Sequence, residues 1–122
     1  FMVQKEVAER IVSLPGNKIY GRLSVMVQVM AHVEKKFNIS KNNFYPKPRV
    51  DSSLIKLTNK KHSEVKNLKI FSKIVKEAFG QRRKMLKNSL KDIIPISAYN
   101  SYINKRPEEL TVANYIEISN NI

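Results

Sequence analysis

The sequence predicts a small α/β segment followed by an all-helical lobe. Three observations carry that prediction: strand-like alternation over residues 51–57, a helix-period apolar stripe over residues 71–90, and a polar stretch between them. In the first, Ser53, Ile55 and Leu57 oppose Leu54 and Lys56, which is the period of two that puts alternate side chains on one face of a strand. In the second, Phe71, Ile74, Val75, Ala78, Phe79, Met85, Leu86 and Leu90 share one face at 100° per residue. Lys73, Lys76, Arg83, Lys84 and Lys87 fall on or beside the opposite face. Asn59-Lys60-Lys61-His62-Ser63 reads as a hinge. The expected division is residues 1–58 for the α/β part, 59–66 for the linker and 67–122 for the helical lobe.

The elements follow in chain order. Residues 1–4 read as a short buried strand. Phe1-Met2-Val3 enters an apolar run with no polar lead, so the chain reads as a piece that begins inside that strand. Residues 5–13 read as a helix with Val7, Ile11 and Val12 on one face, ended by Leu14-Pro15-Gly16-Asn17. Residues 21–33 are apolar nearly all round, as in a helix packed on several sides against a sheet, although their β-branched content leaves a strand open. Val33, Phe37 and Ile39 alternate as inward residues of the next strand. Pro46 and Pro48 exclude helix and central strand over residues 41–50, which leaves a stiff, extended loop. Pro95 breaks the helical lobe, residues 97–103 and 107–110 read as short helical turns, and Thr111 caps a last helix carrying Val112, Tyr115, Ile116 and Ile118.

Charge narrows the class of partner. The 122 residues hold 23 Lys and Arg against 10 Asp and Glu, a net charge of +13. Such a surplus repels itself in a compact chain, so a polyanion is the natural partner, nucleic acid ahead of an anionic membrane surface. The hydrophobic share of 42% and charged share of 27% are those of a globular domain. Cysteine is absent, and His32 and His62 have no ligand-like spacing, so no metal site is expected. No apolar run approaches the ~18 residues that span a bilayer. No signal peptide is visible either, and a cytoplasmic protein is expected.

A catalytic centre is hard to find. Gly16, Gly21 and Gly80 are the only glycines, so no Gly-rich loop can cradle a phosphate or a nucleotide cofactor. Glu108-Glu109 sits at a helix start, where it complements the dipole. Three features stand out instead. Phe44-Tyr45-Pro46-Lys47-Pro48-Arg49-Val50-Asp51-Ser52 holds two aromatics beside two cations on a rigid backbone, which suits a platform for an unstacked base, or else an aromatic plug at the core edge. Residues 79–90 form either a phosphate-binding basic face or a solvated one. There Arg82 falls inside the apolar stripe, so it must be paired or must reach through an interdomain cleft. Arg22 opens the residue 21–33 helix, where a cation opposes the dipole, so it has a compensating partner or is an ordinary surface arginine.

Taken in order, the segments resemble the KsgA-type small-subunit rRNA adenine N6,N6-dimethyltransferases. The resemblance runs through Met2-Val-Gln-Lys-Glu-Val7, Tyr20-Gly-Arg-Leu-Ser-Val25 and the residue 44–52 loop. It continues through Ala78-Phe-Gly-Gln-Arg-Arg-Lys84, Asn88-Ser-Leu90 and Val112-Ala-Asn-Tyr115. It implies the last strands of a Rossmann-like methyltransferase sheet, starting at the fifth, followed by a small all-α RNA-binding domain. The family's glycine-rich cofactor motif and Asn-Leu-Pro-Tyr motif lie earlier, so the methyl donor S-adenosylmethionine would bind outside this piece, and no metal is needed. By the same resemblance Phe44 packs on a flipped target adenine. Arg22, Lys47, Arg49, Arg82, Arg83, Lys84 and Lys87 are the candidate RNA-binding residues, with Arg82 bridging the lobes. The implied partners are small-subunit rRNA and the small ribosomal subunit, and the exposed sheet edge of such a piece invites dimerisation. Two alternatives remain open: a large-subunit rRNA methyltransferase of the antibiotic-resistance type, which shares the Phe-x-Pro-x-Pro loop, and a non-catalytic RNA-binding or ribosome-assembly module. The Gln81-Arg82-Arg83-Lys84 segment favours the small-subunit branch.

Overall fold

A computed structural model describes residues 1–60 and 64–122; Lys61, His62 and Ser63, within the expected hinge, lie outside the described residues. The α/β part runs β1 (Met2–Gln4), α1 (Lys5–Val12), α2 (Arg22–Met30), β2 (Ala31–Ile39) and β3 (Ser52–Asn59). Its three strands form an antiparallel sheet in the order β1-β3-β2. The alternation expected of β3 holds: Ser53 and Ile55 are buried, while Lys56 is exposed.

Three expectations for this part need correction. The first strand is not buried, since Phe1 is 76% and Met2 54% exposed. Among the described residues it lies at the sheet edge, paired to β3 alone, and α1 covers one of its faces at the half-buried Val3. The second helix stops at Met30 rather than at residue 33, because Ala31, His32 and Val33 pair with Asn59, Thr58 and Leu57. Tertiary pairing outweighs helical pattern there. Phe37 does not point inward and is 55% exposed. A bulge between Lys35 and Phe37 inserts an extra residue, so Phe37 pairs with Leu54, and Ile39 with Ser52, on the face opposite Ile55.

The helical lobe comprises α3 (Leu68–Gly80), α4 (Leu86–Ser89), 3-10 turns at Ile96–Ala98, Asn100–Tyr102 and Pro107–Glu109, and α5 (Val112–Asn120). Asn67 caps α3 by accepting the Ile70 N–H at 3.2 Å. Thr111 and Asn114 cap α5 reciprocally, at 3.1 and 3.0 Å. The helix expected through Leu90 is broken: α3 ends at Gly80, residues 81–85 turn, and only Leu86–Ser89 resumes the helix. Met85 accordingly leaves the apolar stripe and is 38% exposed, whereas Leu86 and Leu90 are fully buried. The residue 97–103 helix resolves into two 3-10 turns.

Two apolar clusters result. The smaller joins Ala8, Ile11 and Ile55, flanked by Val3, Val7, Val27, Val33 and Leu57. The larger unites Phe71, Ile74, Leu86, Leu90, Leu110 and Tyr115 with Tyr20, Val25 and Val29 from the first part of the chain. Helix α2 therefore serves both clusters: Val27 faces the sheet side, and Val25 and Val29 face the helical lobe.

Candidate nucleic-acid interface

All three strands meet at one end of the sheet, where Ser52 pairs with both Gln4 and Ile39. This is the carboxyl end of β1 and β2, the end at which open α/β sheets bind ligands. The residue 40–51 loop leaves and returns there. Ser40 starts it by accepting the Asn42 N–H at 3.2 Å, which caps a 3-10 turn at Lys41–Asn43. Asp51 then fastens both flanks. Its carboxylate accepts the Lys41 N–H at 2.9 Å, and its carbonyl accepts the Lys5 N–H at 2.9 Å, where α1 begins. Phe44 follows the turn half-buried, Tyr45 is fully exposed, and Lys47 and Arg49 are exposed. A rigid perch with an aromatic at its base and cations at its rim is the result.

The second cationic group lies elsewhere. Arg83 and Lys84 occupy the turn after α3, and Lys87 begins α4's exposed side. None of them makes an ion pair among the described residues. Arg22, the first residue of α2, is likewise exposed and makes no ion pair among the described residues. Arg82 behaves differently. Its Nε donates to the Glu108 carboxylate at 3.1 Å, and its Nη2 donates to the Lys18 carbonyl at 2.7 Å and the Asn17 carbonyl at 3.2 Å. The guanidinium lies 5.7 Å from the Phe79 ring centroid and passes over Gly21, where its Nη1 would sit 3.5 Å from an added Cβ. Glu108 completes the joint, because its carbonyl accepts the Gly16 N–H at 2.7 Å. The sequence assigned Glu108 to a helix dipole; its larger task is to hold Arg82 and the residue 16–18 loop together.

The two cationic groups thus adjoin different ends of α1. The Phe44 loop lies at the amino end of α1, and the Arg82 joint at the loop that follows its carboxyl end. Two further cations stand with the first group, Lys5 and Lys41, which line one cavity with Arg49. Their signal in the sequence was only adjacency to strand ends that come together in space.

Tyrosines populate the joint. Tyr115 is buried and donates to the Pro107 carbonyl at 2.6 Å, and burial pushes its pKa up. Tyr20 is fully buried, packs edge-on against Phe79, and is pushed up to about 12 by desolvation. Among the described residues no group of three or more His, Asp or Glu could hold a metal ion, and no helix is long and apolar enough to cross a membrane.

Comparison with known proteins decides the family. The family model for ribosomal RNA adenine dimethylase matches residues 1–122. The chain belongs to that family. It is 44% identical to ribosomal RNA small subunit methyltransferase A of Phocaeicola vulgatus, over 99% of the chain and 45% of the relative. Against the protein of that name from Legionella pneumophila strain Corby it is 45% identical, over 98% of the chain and 48% of the relative. The chain therefore spans about half the length of the curated relatives it matches, their C-terminal part. In fold it is similar to a dimethyladenosine transferase from Plasmodium falciparum, with a TM-score of 0.84 at 23% identity, over 96% of this chain and 54% of the other. It is also similar in fold to the 23S rRNA methyltransferase ErmE, with a TM-score of 0.63 at 17% identity, over 98% and 52%.

Proposed function

We propose that the chain supplies the target-base and RNA contacts of an S-adenosylmethionine-dependent adenine N6,N6-dimethyltransferase acting on adjacent adenines of small-subunit rRNA. The observation that carries this reading is the Phe44 loop: an aromatic held at the carboxyl end of the strands, rimmed by Lys47 and Arg49, in a chain of this family. The names of the 44–45% identical relatives support the small subunit as the substrate.

The residues present do not fit the methyl donor. Gly16 lies in a turn at φ 86°, Gly21 opens α2 from extended backbone, and Gly80 ends α3, so no glycine run joins a strand to a helix. What the chain does is position. Extruding a base from structured RNA costs a few kcal/mol, and stacking on Phe44 offsets part of that. The loop is fixed beforehand by Asp51 and two prolines, so little of the stacking energy is lost to ordering it. Transfer to an exocyclic amine needs its lone pair aimed within near-attack distance, and a ring clamped from one face meets half of that requirement. Arg22, Arg83, Lys84 and Lys87 meet phosphates further along the RNA, while Arg82 keeps the two lobes in fixed relation.

The test joins this chain to the N-terminal half of the Phocaeicola vulgatus relative and measures labelled methyl transfer to under-methylated small ribosomal subunits. The joined protein transfers methyl groups and the chain alone does not. Phe44→Ala in the joined protein abolishes transfer while RNA affinity stays within about threefold. Turnover that survives Phe44→Ala removes the target-base role.

A further inference from the structure

Lys5, Lys41 and Arg49 line one open cavity of about 390 Å³, together with Glu6, Glu9 and Asp51. None of the three cations makes an ion pair among the described residues, although three carboxylates share their walls. Two of those carboxylates are already engaged. Glu6 is bound by Arg10 at 3.1 Å, and Asp51 accepts the Lys41 N–H. The half-buried Glu9 has no partner among the described residues. Asp51 also sets the geometry. Its two backbone-directed hydrogen bonds draw the start of α1 and the Lys41–Asn43 turn to the end of the Phe44 loop. Three cations lining one cavity around Asp51, whose carboxylate pairs with none of them, make a place for an anion from outside the chain. Glu9 adds an acceptor that a phosphate cannot use and a hydroxyl can.

We propose that this cavity is a ribose-phosphate subsite. It rests on the target-base reading and extends it: Lys5, Lys41 and Arg49 hold a phosphate flanking the nucleotide on Phe44, and Glu9 accepts from the 2′-hydroxyl of that sugar. Lys41 lies one turn before Phe44, whose N–H donates to the Lys41 carbonyl at 3.4 Å, so a phosphate held there fixes the backbone where the base leaves the stack. A 2′-hydroxyl contact is what separates RNA from DNA at a given position.

The experiment titrates the chain with a short, labelled, adenosine-containing single-stranded RNA and its DNA counterpart across a salt series. Lys5→Gln with Lys41→Gln lowers the log–log salt slope by about 1.4, two single-strand phosphate contacts' worth. Lys5→Arg with Lys41→Arg keeps the slope, which separates charge from a folding defect. Glu9→Ala brings RNA and DNA affinities closer together and leaves the slope in place. An unchanged slope in the double Gln variant overturns the phosphate contact, and an unchanged RNA-to-DNA ratio in Glu9→Ala overturns the sugar contact. Either result beside an inactive Phe44→Ala in the joined protein overturns the subsite and spares the target-base reading. An active Phe44→Ala with the slope change intact does the reverse.

Discussion

The sheet region and the helical lobe are held by different means. Around the sheet the enclosed apolar cluster is small, Ala8, Ile11 and Ile55, and the loop carrying Phe44 is fixed by the hydrogen bonds of Asp51. The helical lobe is centred on Phe71, Ile74, Leu86, Leu90 and Tyr115, and it borrows Tyr20, Val25 and Val29 from the other region. Burial scales with apolar area, so the lobe dominates stability while the sheet region contributes geometry. The Phe44 loop thus stands on the lighter part, which is joined to the heavier one through α2. Truncation tests this first. Phe71→Ala costs about 4 kcal/mol and Ile55→Ala about 2–3 kcal/mol in chemical denaturation, the first acting on the whole chain. Equal losses, or a separate transition for each region, break the comparison.

The joint between the regions is the next largest effect. Arg82→Ala removes a charge-assisted bond to Glu108 and two bonds to backbone carbonyls in a setting about one-third exposed, a loss of about 2 kcal/mol. Arg82→Lys recovers little, because an ammonium cannot reach Glu108, Asn17 and Lys18 in one fork. Full recovery by lysine means the joint is a simple charge pair and the lobes are coupled through α2 alone.

Arg82 also shows what was legible and what was not. Its place inside an apolar stripe foretold a partner, and the partner exists. The helix on which that argument stood does not extend so far, since the chain turns after Gly80 and the turn aims the guanidinium at the residue 17–18 loop. Periodicity carried through the break because Leu86 and Leu90 return to the same core after it. The cap of α5, the strand pattern of Ser53 and Ile55, and the aromatic-basic loop were all readable from local chemistry. The gathering of Lys5 and Lys41 beside Arg49 was not, because it depends on the pairing of Ser52 with Gln4 and Ile39 at one sheet end.

A smaller effect sharpens the contrast through pH. Tyr20 lies in the core that both regions share, and its folded pKa of about 12 exceeds the ordinary 10.0. Its contribution is fully present below pH 10 and falls as pH climbs toward 12, because the unfolded chain releases the proton first. By pH 11 the loss is about 1.4 kcal/mol. Tyr20→Phe, which deletes a hydroxyl without a hydrogen bond among the described residues, declines that much less between pH 9 and 11. A parallel decline in both proteins moves the alkaline sensitivity to Tyr115.

The smallest effect bears on the sheet alone. Without the bulge Phe37 would follow Val33 onto the buried face, and Phe37→Thr would cost as much as any core truncation. With it, Phe37 shares the opposite face with Leu54 and Ile39, where its ring is mostly exposed. Threonine keeps the β-branched preference for strand, so Phe37→Thr stays within about 0.5 kcal/mol of the parent in this chain. Deleting Lys36 is the complementary change. It removes the extra residue, leaves Phe37 opposite Leu54 and Ile39 opposite Ser52, and so keeps the pairing that roots the Phe44 loop, with stability and RNA binding near the parent's. A Lys36 deletion that weakens RNA binding means the local twist of the bulge, and not the register at the strand ends alone, sets the loop.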